Sequence, residues 1–127
     1  MKAIIHRFHS PDVFDLDSYA PDDPTDDAIL LQIMVGPVGE DSEESFDVLV
    51  CTPRRLERLV ESDGPIVGRH YLIVKSMDYS IIRRYLTSAI ERESADNWED
   101  LAARIGRIGK SEFEDYVEYD KSRDGSS

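Results

Sequence analysis

The chain has 127 residues, of which 40% are hydrophobic, a length that predicts one domain with a modest core. Its formal net charge of −12 argues against nucleic-acid binding, which requires clustered positive charge. No apolar run is long enough to cross a bilayer and the N-terminus, MKAIIHRFHSPD, lacks a secretory h-region, so we expect a cytoplasmic protein without membrane contact. Cys51 is the single cysteine, which excludes an internal disulfide.

Negative charge is concentrated in the first third of the chain. Seven acids lie between Asp12 and Asp27 and five between Glu40 and Asp47, and this whole stretch contains no Lys or Arg. The remaining acids are equal in number to the 15 Lys and Arg residues, so the entire net charge comes from this region. Such segregation favours a basic partner that is attracted over long range. Solubility alone is the alternative explanation.

The first predicted strand runs from Lys2 to Phe8 and ends at Ser10-Pro11-Asp12. His6 and His9 would point to opposite faces of this strand, so we expect no shared metal. An irregular connection with two prolines then leads to residue 27. Its aspartates fit no calcium loop, because the required Gly and the closing Glu are missing.

Residues 28–53 predict an antiparallel hairpin at the middle of the sheet. Two flanks rich in Ile, Val, Leu and Phe enclose a loop, PVGEDSEES, that is acidic and contains no base. The run from Ile29 to Val35 is nearly continuous in apolar character. We therefore expect a central strand that is covered on both faces, or nearly so.

Three helices and a further strand are predicted after the hairpin. Thr52-Pro53 begins the first helix, which would bury Leu56, Leu59 and Val60 and leave a small arginine-bearing side in solvent. RHYLIVK (69–75) predicts a strand. Asp78 and Asn97 would cap the next two helices. The first of these carries a broad apolar stripe formed by Ile81, Ile82, Tyr85, Leu86, Ala89 and Ile90.

The predicted fold class is therefore α+β, a mainly antiparallel sheet of about four to five strands packed against about three helices. We expect a single domain over residues 1–119, in which residues 111–119 form a short helical turn or a docked extension. Residues 120–127 predict a disordered C-terminal tail.

Catalytic signatures are missing. Cys51 and the three histidines show no recognisable nucleophile–base arrangement, and GPVG lacks the Lys of a phosphate-binding loop. We therefore predict a protein that is not an enzyme, with no catalytic residues, no metal site and no cofactor. A small hydrolase or transferase that uses its carboxylates would require a deep pocket lined by acids.

Four segments together resemble the immunity protein 8 family: HSPDV (9–13), the apolar strand ending in GPVG (31–39), SFDVLVCTP (45–53) and SEFEDYVEY (111–119). The similarity spans about Lys2 to Tyr119, although Ser111 stands where the family often has an aromatic residue. The resemblance implies an α+β fold and an antitoxin that binds and blocks a cognate toxin domain of a polymorphic or contact-dependent growth-inhibition system. Many such toxins are nucleases.

Charge and resemblance together predict that the partner is a basic toxin domain and that it contacts acidic side chains of this chain. The expected partner-binding residues are the acids of the hairpin and, as a second patch, those of the preceding connection: Glu40, Asp41, Glu43, Glu44 and Asp47, with Asp22, Asp23, Asp26 and Asp27. The rival hypothesis is a non-enzymatic adaptor that binds through its helices. An exposed stripe around Tyr79, Tyr116 and Tyr119 would favour it.

Overall fold

Five strands and three helices make up residues 1–113, the part of the chain that the computed structural model describes. The order is β1 (Ala3–His9), β2 (Ala28–Pro37), β3 (Glu44–Cys51), α1 (Pro53–Asp63), β4 (Tyr71–Ile73), α2 (Tyr79–Glu91), α3 (Trp98–Ile105) and β5 (Lys110–Ser111), with a 3-10 turn at Leu16–Ser18. The predicted α+β class is confirmed. The predictions for residues beyond Phe113, including the tail at 120–127, lie outside the described residues.

The predicted hairpin is confirmed as the middle of the sheet. β2 and β3 pair antiparallel from Ala28 opposite Cys51 to Val35 opposite Glu44, and β1 pairs antiparallel with the other edge of β2. The polar turn residues separate two strands rich in β-branched side chains, which is the pattern that favours a hairpin.

β3 carries two short strands on its outer edge. β4 pairs in parallel with Leu49–Cys51, and β5 pairs antiparallel with Phe46 and Asp47. A parallel pair requires a crossover, which α1 supplies. The side chain of Thr52 caps that helix by accepting the N–H of Arg55, and Pro53 occupies the first turn, as predicted.

The core lies between one face of the sheet and helices α2 and α3. Ile29, Leu31, Ile33 and Val35 are at most 2% exposed, whereas the intervening side chains of β2 are only half-buried. Nearly complete cover of β2 is therefore confirmed for one face only. The other face is shielded less because its side chains do not belong to the cluster that α2 and α3 contact.

The apolar stripe of α2 is narrower than predicted. Ile82, Leu86, Ala89 and Ile90 are buried, but Ile81 and Tyr85 are 57% and 58% exposed. A helix turns by about 100° per residue, so Ile81 and Tyr85, each one position before a buried residue, lie about 100° away from the core-facing side chains of Ile82 and Leu86. The expectation for α1 was also wrong, since none of its residues is fully buried and Val60 is 41% exposed.

Candidate partner-binding surface

The two predicted groups of acids lie at opposite ends of the hairpin. Asp22 to Asp27 precede the first residue of β2, whereas Glu40 to Glu43 follow its last residue. A strand of ten residues spans about 30 Å, because each residue advances the chain by about 3.3 Å. The acids therefore form two separate surfaces, one at each end of the hairpin.

Arginines of α1 pair with two of the four acids that precede β2, Asp23 and Asp26. Asp26 binds Arg55 at 2.9 Å and Arg58 at 2.6 Å, and Asp23 lies 3.4 Å from Arg54. Hydrogen bonds from Arg55 and Arg58 hold the pKa of Asp26 below its ordinary value. The small basic side of α1 is thus an internal counterion, not the merely solvated face that its sequence suggested.

Local hydrogen bonds engage further members of the same group. Thr25 donates to Asp23 from both its hydroxyl and its backbone N–H, which lowers the pKa of that carboxyl. The hydroxyl of Tyr19 donates to Asp27, and burial together with this bond raises the pKa of Tyr19. Asp22 is exposed. Three arginines of α1 therefore offset part of the negative charge at this end of the hairpin, whereas within residues 1–113 no ion pair involves Asp22 or Asp27.

Glu40 and Asp41 form the tip of the hairpin loop. Both are exposed, and within residues 1–113 neither side chain has a hydrogen-bond or ion-pair partner. Gly39 precedes them with φ of 87°, a left-handed conformation that glycine adopts without strain. The backbone N–H of Glu40 donates to the carbonyl of Pro37 at 3.2 Å, which closes the turn. The tip thus presents two unneutralised carboxylates.

Glu43 is held by two consecutive residues of β1. Its Oε1 accepts from Nη1 of Arg7 at 2.8 Å, and its Oε2 lies 2.9 Å from Nδ1 of His6. Consecutive residues of a regular strand point to opposite faces, but the register of β1 shifts between Ile5 and Arg7. This β-bulge allows both side chains to reach one carboxylate. We refer to His6, Arg7 and Glu43 as the clasp.

Glu44 and Asp47 belong to β3 and not to the loop. Glu44 accepts hydrogen bonds from Nε1 of Trp98 at 3.3 Å and from Oγ of Ser111 at 2.5 Å, which ties β3 to α3 and β5. Asp47 is half-buried and lies opposite Lys110 in the pairing of β3 with β5. The five predicted hairpin acids therefore divide into two at the tip, one in the clasp and two within the sheet.

Two exposed apolar side chains lie beside the acidic tip. Val38 is 56% exposed and its backbone N–H donates to the carbonyl of Lys2 at 2.9 Å. Ile4, which is opposite Gly36 in the sheet, is 39% exposed. Protein interfaces combine an apolar centre with a polar rim, so these side chains extend the candidate surface. The sequence pattern did not single them out, because Ile4 looks like a core residue of the first strand and Val38 is a lone apolar residue in a polar loop.

The structure gives less support to the two alternative functions, an adaptor that binds through its helices and an enzyme that uses its carboxylates. Tyr79 is half-buried and packs edge-on against Phe8 at 6.2 Å, so it does not form an exposed stripe, and Tyr116 and Tyr119 lie outside the described residues. A groove of about 590 Å³ lies along α2, but none of the nine predicted acids lines it. Among residues 1–113, no group of His, Cys, Asp and Glu is arranged to hold a metal ion.

The family model described as immunity protein 8 matches residues 3–116. The chain belongs to the immunity protein 8 family. The predicted resemblance is thereby confirmed, and it implies a cognate toxin as the partner of this immunity protein. No curated protein and no solved structure matches the chain. None of the helices within the described part of this immunity protein has the length and apolar character needed to span a membrane.

Proposed function

We propose that this immunity protein neutralises a basic toxin domain, a nuclease, by docking its acidic hairpin loop onto the positive surface that the toxin uses for its polyanionic substrate. The interaction takes place in the cytoplasm. The observation that supports this proposal is the pair of exposed carboxylates, Glu40 and Asp41, which lack a partner within residues 1–113. The second acidic patch supports it less, because α1 already supplies counterions to two of its four acids.

Charge at the tip serves the kinetics of protection. Immunity must be established before the toxin acts, so association has to be fast. Complementary charge raises association rates by roughly 10- to 1,000-fold at low salt. Close interfacial charge pairs then couple by about 1.5–7 kcal/mol once they are desolvated.

Val38 and Ile4 provide the apolar contact area that the charged tip lacks. Exposed ion pairs are worth little, about 0–1 kcal/mol each, so a durable complex needs apolar contact beside the carboxylates. The exposed side chains of Val38 and Ile4 lie next to the loop and are available for that contact.

The test replaces the tip charges and measures association with the cognate toxin domain. Glu40→Ser combined with Asp41→Ser should slow association by roughly three- to tenfold at about 0.05 M salt. At about 0.5 M salt the screening length falls to a few Å, so the difference from wild type should largely disappear. Stopped-flow fluorescence measures both rates.

A matched control removes the same two charges elsewhere. Glu57→Ser combined with Glu61→Ser lies on the exposed side of α1 and should change association by less than about twofold. If both double variants slow association equally, net charge and not the loop is responsible. If neither variant slows it, the loop proposal fails.

An adaptor that binds through a helix is the second candidate, favoured by the exposed Ile81 and Tyr85 on α2. Tyr85→Ser tests it in the same assay. Weakened binding by Tyr85→Ser, together with an unaffected tip variant, would assign the interface to α2.

A further inference from the structure

The clasp joins an edge strand to the loop that carries the tip charges. Both carboxylate oxygens of Glu43 are engaged, one by Arg7 and the other by His6. The side chains of Glu43 and His6 are 26% and 25% exposed, whereas that of Arg7 is 59% exposed. Glu43 is therefore turned toward β1, and both of its oxygens already have a partner within this chain.

The same loop packs closely against Gly36 of β2. A Cβ built on Gly36 would lie 2.0 Å from the carbonyl oxygen of Ser42 and 3.4 Å from Cε1 of His6. The backbone of Ser42 thus lies directly on the backbone of β2, where only glycine leaves room. Two independent contacts, one polar and one steric, hold residues 38–43 against the sheet.

We propose that Glu43 is a positioning residue: through Arg7 and His6 it holds the hairpin loop in a preformed shape that presents Glu40 and Asp41, without itself touching the toxin. This inference rests on the proposed function. Preorganisation matters because the apparent affinity of a partner falls in proportion to the fraction of molecules whose loop is already competent.

The proposal and simple electrostatic attraction predict opposite effects of removing Arg7 on the association rate. Removing a positive charge from a surface that meets a basic toxin should speed association if electrostatic attraction alone acts. If Arg7 instead maintains the shape of the loop through Glu43, its removal should slow association. Arg7→Ala therefore separates positioning from simple charge complementarity.

The first measurement needs no toxin. Glu-C protease cleaves after Glu40, and mass spectrometry of a timed digest of the full chain gives the rate at that bond. Arg7→Ala and Glu43→Gln should each raise that rate by roughly threefold or more, because a released loop fits the protease more often. Arg7→Lys, which retains one charged donor, should lie close to wild type. Arg104→Ala, an exposed arginine of α3, is the matched control and should leave the rate unchanged.

The second measurement uses the cognate toxin domain. Arg7→Ala should slow association by roughly threefold to tenfold, and the double variant with Glu43→Gln should be no slower than the single ones. Arg7→Lys should restore most of the rate.

The outcomes separate the two proposals. An unchanged cleavage rate in Arg7→Ala overturns the clasp whatever the toxin does. Faster cleavage with unchanged or faster association also overturns it, because the loop then need not be preformed. If the double variant Glu40→Ser with Asp41→Ser associates at the wild-type rate, the loop proposal fails. The protease result still decides whether the clasp orders the loop.

Discussion

Replacing Gly36 by alanine tests whether the acidic loop lies against the sheet. The added Cβ would meet the carbonyl oxygen of Ser42 at 2.0 Å, whereas 3.4 Å is an ordinary contact. The loop or the strand must therefore move by roughly 1.0–1.4 Å, because the Ser42 oxygen belongs to the backbone and the position of the Cβ is fixed by the backbone of residue 36, so no side-chain rotation relieves the clash.

The cost of that displacement can be bounded from comparable insertions. Overpacking by one methyl group costs about 1–3 kcal/mol of the free energy of unfolding. For a chain of this size, each kcal/mol lowers the melting temperature by about 3–5 °C, so Gly36→Ala should melt about 3–15 °C below wild type. Gly68 is the matched control, because its added Cβ meets nothing within 4 Å and its φ is not positive. Gly68→Ala should be neutral or stabilise by up to about 1 kcal/mol.

Thermal denaturation followed by circular dichroism provides the comparison. Amide hydrogen exchange over residues 38–43 adds a local measurement, and Gly36→Ala should accelerate exchange at Glu40, whose N–H donates to Pro37. If Gly36→Ala and Gly68→Ala melt at the same temperature and exchange alike, the carbonyl of Ser42 does not lie over β2, and the described loop conformation is wrong.

Three further predictions concern the core, the charge network and the thiol. Leu31→Ala should cost about 2–5 kcal/mol of unfolding free energy in urea denaturation, whereas Leu30→Ala, on the half-buried face of the same strand, should cost about 1–2; equal costs would mean that both faces are fully packed. Because the pKa of Asp26 is lowered in the folded state, its contribution to stability is present above about pH 4 and is lost as pH falls through the folded pKa. The stability difference between wild type and Asp26→Asn should therefore be constant from about pH 5 to 8 and shrink in stronger acid, and a difference that grows in acid would contradict the assigned ion pairs. Cys51 is buried and burial raises the pKa of its thiol, so Ellman's reagent should modify it at least roughly tenfold faster in concentrated guanidinium than in buffer; equal rates would show that the thiol is accessible.

The hairpin could be predicted from sequence because its determinants are local. Two runs rich in apolar and β-branched residues, on both sides of a turn with Gly36 and Gly39, need no distant information. The caps of α1, α2 and α3 were predicted for the same reason, since a capping side chain bonds to N–H groups two or three residues away.

Contacts between distant parts of the chain could not be predicted. Arg55 lies 29 residues from Asp26, and His6 lies 37 residues from Glu43, so no periodicity connects the partners. The bulge that directs His6 and Arg7 to one carboxylate has no sequence signature in a strand without glycine. A strand was predicted at 69–75, where the structure has β4, but its parallel pairing with β3 joins distant segments and could not be predicted. The two-residue β5 was missed because it is too short to show alternation.

The outer edge of β3 is completed by two pieces of chain that arrive at different times during synthesis. β4 covers one half, but the half at Phe46 and Asp47 stays bare until residues 110 and 111 emerge. An open strand edge is a template on which other chains can build aggregates. A nascent or prematurely terminated chain that stops short of Lys110 would therefore be prone to aggregate through this exposed edge. Quality control by chaperones and proteases should act on it most strongly at that stage.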